Sequence, residues 1–309
     1  MTIVTPTLNR ASLLEGTIES VRAQTYPNIE HIVVDGGSED DTREVLARYE
    51  RSDGLRWISE PDEGMYQAVN KGLRLAGGQV LAYLNTDDRY FPYSVRVAVD
   101  ELLRRKDVGF VYGDMLNVDE STGVGTLVFY PSFDAEYLRR GGLIGQPTVF
   151  WRREVTEAFG GFDESLHLAA DMEYWMRISS RYPGHRIEEV LAYEGEHETR
   201  LTSGEHARER AMAELDEISG RHGRMRSTRG VKRRRLDDAR LAFSYRLSGL
   251  RFLWRATRPP RGEPGRRWQG FLAAAPSAAF RIDTRRAAIA LIPIVGRRFK
   301  SFVRAGVER

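Results

Sequence analysis

Cysteine is missing from all 309 residues, which excludes a disulfide framework, a thiolate metal site and a cysteine nucleophile. Histidine is scarce, with six residues scattered without ligand spacing, so a zinc-type centre is excluded as well. Neither G-x-x-x-x-G-K-[ST] nor G-x-G-x-x-G opens any expected helix, and a glycine-rich backbone cradle for phosphate is therefore lacking. Long apolar runs are lacking too. The longest in the C-terminal part, Ala287 to Gly296, contains Pro293 and is about half of the ~20 residues that span a bilayer. The chain enters the strand-like run "TIVTPT" at once, with no charged and then apolar leader, which reads against secretion and for the cytosol.

What is present makes a globular protein. Hydrophobic residues are 41% of the chain, enough to bury at least one full core in one or two domains. The net charge of +3 hides an asymmetry, because 24 Lys and Arg against 5 Asp and Glu lie in residues 221–309, leaving 23 against 39 in residues 1–220. An acidic body thus carries a basic tail, and the expected boundary falls at residue 220.

Strand-like and helical patterns alternate through the first third. "TIVTP" precedes a helix over Ser12 to Gln24, "IEHIVVD" one over about Asp41 to Tyr49, and "LRWIS" one over about Tyr66 to Leu75, before "VLAYLN". This order predicts βαβ units around a mostly parallel sheet, with a ligand site outside the carboxyl ends of the strands. Those ends are Thr5 to Asn9, Asp35-Gly36-Gly37-Ser38, Glu60 to Gly64 and Asn85-Thr86-Asp87-Asp88. Singly, each has a plain structural reading, such as a turn followed by a helix cap at Asp35 to Ser38. Together on one sheet edge they read as a site. Adjacent carboxylates at the mouth of a buried strand repel and resist desolvation, and without a basic cradle they point to Mg²⁺ or Mn²⁺ bridging to diphosphate oxygens.

The segments "IVTPTLNR", "IVVDGGSEDDT", "SEPDEGMYQAVNKGL", "LAYLNTDDRY", "GGFDESL" and "AADMEYWMR", in that order, resemble family 2 glycosyltransferases with the GT-A fold, of the cell-wall or surface-polysaccharide type. The resemblance covers roughly Met1 to Tyr193. It implies an inverting transfer from a nucleotide-diphosphate sugar, with a UDP-sugar favoured, to a hydroxyl of a glycan or lipid-linked acceptor. Pro6 and Leu8 would then lie along the nucleotide, Asp35 and Asp62 would contact the base, Asp87 would serve the ribose or support the metal, and Asp88 would bind the ion. Asn85 stands where many members have Asp, so less charge is offered to the metal. The resemblance makes Asp171 the base that deprotonates the acceptor, with Glu173 second; its plain alternative is an N-cap. Gln146 and Trp151, in "GGLIGQPTVFW", are acceptor-side candidates, and Trp151 is equally a core residue. His197 reads either as a contact to the donor or as a solvated loop residue.

In the tail, Leu236, Ala239, Phe243, Leu247, Leu250 and Trp254 recur at helical spacing with arginines between them, and a second basic-aromatic segment runs from Trp268 to Phe302. This is either a helical layer on the acidic body or an interfacial anchor on an anionic inner membrane face. No zinc, RNP or helix-turn-helix pattern accompanies it, so nucleic acid is not the expected partner. Two alternatives to transfer stay open: a sugar-nucleotide-binding scaffold or sensor, and a nucleotidyltransferase. The latter would show a basic glycine-rich loop after the first strand, which "TPTLNRAS" is not.

Overall fold

The computed structural model describes residues 1–53, 55–120, 124–139, 144–197, 200, 205–222 and 280–281. In chain order the elements are β1 (Thr2–Thr7), α1 (Ala11–Arg22), β2 (Glu30–Asp35), α2 (Thr42–Asp53), β3 (Arg56–Ser59), α3 (Met65–Leu75), β4 (Val80–Tyr83), β5 (Asp88–Tyr90) and α4 (Ser94–Arg104). They continue with β6 (Phe110–Asp119), β7 (Val124–Val128), α5 (Ala135–Arg139), β8 (Phe150–Arg152), α6 (Arg153–Phe159), α7 (Ala170–Ile178), β9 (Gly184–Glu196), α8 (Glu205–Arg221) and β10 (Phe280–Arg281).

Every residue of β1 is buried, as a central parallel strand covered on both faces requires. It pairs in parallel with β2 and with β4, and β2 pairs in parallel with β3, so the first four strands form the expected parallel half in the order β3-β2-β1-β4. Helix α3 lies against β1 so closely that a Cβ at Gly72 would stand 2.3 Å from Val4 Cγ1. Glycine there permits the approach.

Beyond β4 the sheet is mixed. β8 runs antiparallel to β4 and to β6, β7 antiparallel to β6, and β9 parallel to β6. The short β5, which carries Asp88, pairs antiparallel with the end of β9 and places Asp88 opposite Glu194. An aromatic cluster of Tyr83, Trp151, Phe162, Tyr174 and Trp175 fills the space beneath α7.

Helix α8 continues this body past the boundary expected at residue 220. Ile218 is fully buried in the main core, Arg221 pairs with Asp163 at 2.7 Å and His222 with Glu173 at 3.1 Å. The apolar stripe from Leu236 to Trp254 lies outside the described residues. Of the segment from Trp268 to Phe302, only Phe280 and Arg281 are described, as a strand parallel to β7. No helix among the described residues is long and apolar enough to cross a membrane.

Candidate active site

The carboxyl ends of β1, β3 and β4 open into one cavity of about 370 Å³. Pro6, Thr7, Leu8 and Arg10 form one wall, Asp62 and Gly64 to Tyr66 a second, and Asn85 to Asp87 the base of a third. Gln146, His167, Leu168, Asp171, Glu194 and Arg200 close it from the mixed half of the sheet. Of the expected residues, Pro6, Leu8, Asp62, Asp87, Gln146 and Asp171 thus share one surface.

Leu8 is half exposed and offers an apolar side chain to the cavity. Asp62 is held by the Gly64 N–H at 3.0 Å. Burial raises its pKa and Asp35 adds to the rise, against the lowering effects of Gly64 and Lys71. Asp35 itself is fully buried and does not line the cavity. Its oxygens accept from the Ser38 hydroxyl and N–H and from Ser59 Oγ at 2.6 Å. The Asp35 carboxylate is therefore occupied in tying together the ends of β2 and β3.

The acidic pair is divided. Asp87 faces the cavity and meets His197 Nε2 at 3.1 Å, so His197 is not a solvated loop residue. Asp88 is 2% exposed and stands off the cavity wall. Burial, then Asp87 and Glu194, push its pKa well above the carboxylate range, with Arg200 and the Asn85 amide opposing. Arg200 answers part of this charge through Glu194, at 2.5 Å. Asn85 donates to Gln146 Oε1 at 3.1 Å, and Gln146 donates to the Tyr83 carbonyl at 2.8 Å. Asn85 Oδ1 is buried with no hydrogen-bond partner among the described residues.

These donors fit a hard divalent cation. All are oxygens, their negative charge is crowded, and one buried amide oxygen lacks a partner. No three His, Cys, Asp or Glu side chains form a closed metal cage among the described residues. Magnesium-type ions do not require one, because they are bound by one or two carboxylates and completed by substrate phosphates and water.

Across the cavity, Asp171 is the second residue of α7, whose N-cap is Ala169; Asp171 is thus not the N-cap. It accepts from the Tyr66 hydroxyl at 3.3 Å. Burial raises its pKa to about 6, against the lowering effects of the Met172 N–H and Tyr66. Glu173 points elsewhere: it is buried, bound through both oxygens by Arg177 at 3.0–3.1 Å, and touched by His222. Trp151 is fully buried, and its Nε1 donates to Thr156 Oγ1 at 2.8 Å. As a sugar platform it must be corrected, since the core reading of that residue holds. Sequence reasoning missed Tyr66, Glu194 and Arg200, which become site residues only when α3, the end of β9 and Arg200 beyond it are brought to the strand ends.

Comparison with known proteins agrees with this geometry. Residues 2–148 match the family described as Glycosyl transferase family 2. An uncharacterized glycosyltransferase of Mycobacterium tuberculosis is 33% identical over 182 residues, which is 58% of this chain and 68% of that protein. A PGL/p-HBAD biosynthesis glycosyltransferase of Mycobacterium bovis is 29% identical over 181 residues, 58% of this chain and 69% of that protein. Among solved structures, S. aureus TarS 1–349 in complex with UDP-GlcNAc superposes with a TM-score of 0.56 at 16% identity, covering 89% of this chain and 81% of that one. The match spans 49% of the longer TarS chain. A mannosyltransferase from Pyrobaculum calidifontis, in complex with GDP-Man and Mn²⁺, gives 0.56 at 19% identity, covering 99% and 83%. At such identities the structural likeness speaks for the fold. The sequence relatives and the shared α/β architecture together show that this chain belongs to glycosyl transferase family 2 and has the GT-A fold.

Proposed function

We propose that the protein is an inverting, metal-dependent glycosyltransferase that moves a sugar from a nucleotide-diphosphate donor, with UDP favoured, to a hydroxyl of a glycan or lipid-linked acceptor in cell-envelope polysaccharide or glycolipid synthesis. One observation carries the reading. A single cavity is lined on one side by Asp87, whose neighbour Asp88 is buried off the wall, and, on a different element, by a carboxylate whose pKa is raised to about 6. Relatives support it: one acts in PGL/p-HBAD biosynthesis, and two structural neighbours hold UDP-GlcNAc or GDP-Man.

In this reading the nucleotide lies against Pro6 and Leu8 with its base toward Asp62, while Asp35 fixes the strand ends beneath. Asp88, the buried member of the pair, would hold Mg²⁺ or Mn²⁺, and Asp87, which faces the cavity, would support the ion or the ribose of the donor. The bound ion supplies Lewis-acid neutralisation of charge on the diphosphate. Arg200 adds a fixed positive charge on the same wall. Asp171 takes the proton from the acceptor hydroxyl as that oxygen attacks the anomeric carbon and the carbon–diphosphate bond breaks. A base with a pKa near the working pH is suited to this task. Gln146 lies on the acceptor side. Residues beyond the described body, with their surplus of arginine, act as an anchor on the anionic inner face of the membrane, so the protein is cytoplasmic and peripheral.

A thermal-shift panel of nucleotide sugars with and without Mn²⁺ tests the donor half. A ligand at 100 times its dissociation constant stabilises by about 2.7 kcal/mol. A shift with one nucleotide class, enlarged by Mn²⁺, is expected. No shift with any nucleotide would overturn the reading.

A further inference from the structure

We propose that Glu214 is a positioning residue for this reaction: from α8 it grips the loop ahead of α7 and so sets the cavity wall on which Asp171 stands. The inference rests on the reading of Asp171 as the base. One Glu214 oxygen accepts from the His167 N–H at 3.0 Å, and the other from the Leu168 and Ala169 N–H groups at 2.8 and 2.9 Å. Three consecutive amides thus converge on one side chain about 45 residues away in the chain.

The loop needs such a partner. The N-cap of α7 is Ala169, which has no side-chain oxygen and makes no side-chain cap; the Asp171 carboxylate takes the Met172 and Asp171 N–H groups inside the helix, and Glu214 takes the three N–H groups ahead of it. A carboxylate supplies charge-assisted bonds and also complements the positive end of the helix dipole. What the loop carries makes the grip more than a cap. His167 and Leu168 line the cavity, and Asp171 follows Ala169 by two residues. The gripping helix is itself fixed, with Ile218 fully buried in the core and Arg221 tied to Asp163. Catalytic groups keep their geometry when their supports sit on rigid elements.

The test uses the full chain and four variants: Glu214→Gln, Asp171→Asn, their double variant and Leu46→Ala, the last in a separate core cluster under α2. Glutamine keeps one acceptor oxygen but turns an NH₂ toward one of the amides. Nucleotide release is followed with UDP-GlcNAc, UDP-glucose and GDP-mannose in the presence of Mn²⁺. For Glu214→Gln, kcat should fall about 10- to 100-fold, the scale expected of a small misplacement, while KM for the donor stays within about twofold. In the Asp171→Asn background the same change should have no further effect, because interacting sites are non-additive. Leu46→Ala should lower the melting temperature at least as much and leave kcat largely intact.

Amide hydrogen exchange at His167 to Ala169 should accelerate in Glu214→Gln without substrate, and unchanged exchange would overturn the grip itself. An intact kcat in Glu214→Gln beside a disabled Asp171→Asn would overturn the positioning role alone. A loss of kcat that merely tracks melting temperature in Glu214→Gln and Leu46→Ala would do the same. Full turnover in Asp171→Asn would remove the base reading instead, whatever Glu214 does.

Discussion

Tyr66 and Asp171 lie 105 residues apart in sequence, and the phenol of the first donates to the carboxylate of the second at 3.3 Å. The bond joins α3, from the parallel half of the fold, to α7, which belongs to the mixed half. It also favours the charged carboxylate, opposing the burial that raises the pKa of Asp171. Besides burial and Tyr66, the main effects on Asp171 come from the N–H groups of Met172 and of Asp171 itself, which lower its pKa, and from Glu194, which raises it.

Tyr66→Phe removes the donor and keeps the ring that stacks on Phe162 at 5.8 Å. With the stabilising bond gone, the pKa of Asp171 should move further up. The acid limb of the kcat/KM profile should therefore shift to higher pH, with a larger loss of rate at pH 6 than at pH 8. An unchanged limb would detach Tyr66 from the titrating group.

Asp171→Asn should keep nucleotide binding and lose transfer by about 10²- to 10⁴-fold, the usual contribution of a positioned general base. Its stability should change in the opposite sense. The folded-state pKa of about 6 lies above the ordinary 3.8, so the stability contributed by this carboxyl is complete at low pH and is lost as pH rises through about 6. The amide cannot ionise. The variant should therefore be more stable than the wild type above pH 6, by on the order of 1 kcal/mol, and equal or lower stability in urea titrations at pH 7.5 would contradict the assignment.

Asp88→Asn takes the buried carboxylate from an acidic cluster that also contains Asp87 and Glu194. The apo protein should fold at least as well as the wild type, because like-charge repulsion is relieved. Mn²⁺-dependent nucleotide binding should fall at least tenfold in titration calorimetry. Retained Mn²⁺ dependence would move the ion elsewhere.

Gly36→Ala would bring a Cβ to 2.6 Å from Asp62 Oδ2. The clash is with the end of a side chain, so the fold should tolerate it while Asp62 is pushed from its place. Loss of one hydrogen bond to a charged group is worth about 1.5–3 kcal/mol, so nucleotide affinity should weaken by roughly tenfold or more with little change in melting temperature. Unaltered affinity would take Asp62 out of the nucleotide contact.

The parallel half of this fold is legible in the sequence because β-branched runs and amphipathic helices alternate there, and the four strand ends carry the unusual chemistry. Asp171 is legible as an acidic residue at a helix entry. Other features depend on tertiary contacts that local patterns do not encode. Asp35 appears free until Ser59, at the end of another strand, closes on it. Tyr66 reads as one more apolar-face residue of α3, and Glu214 is one of many charges on α8 until the fold brings each to α7. The antiparallel pairing of β5 with β9, which sets Asp88 against Glu194, joins segments more than a hundred residues apart. Trp151 shows the converse, since its size fits a sugar platform or a core equally well and only packing decides.

A chain ending after His222 should test the proposed division into body and tail. It keeps Ile218, Arg221 and His222, and should fold and bind nucleotide. It should no longer sediment with anionic vesicles, whereas full-length binding should weaken but not vanish as salt shortens the Debye length below ~8 Å. Vesicle binding equal to that of the full chain would place the membrane contact on the body.

The most direct test of the central claim is proton NMR of the sugar released or transferred from an α-linked nucleotide sugar in the presence of Mn²⁺. The expected result is free nucleotide together with a product whose anomeric configuration is first formed as β, lost on chelation with EDTA and lost in Asp171→Asn. Product formed with retention, or nucleotide bound without turnover across every donor and acceptor offered, would contradict it.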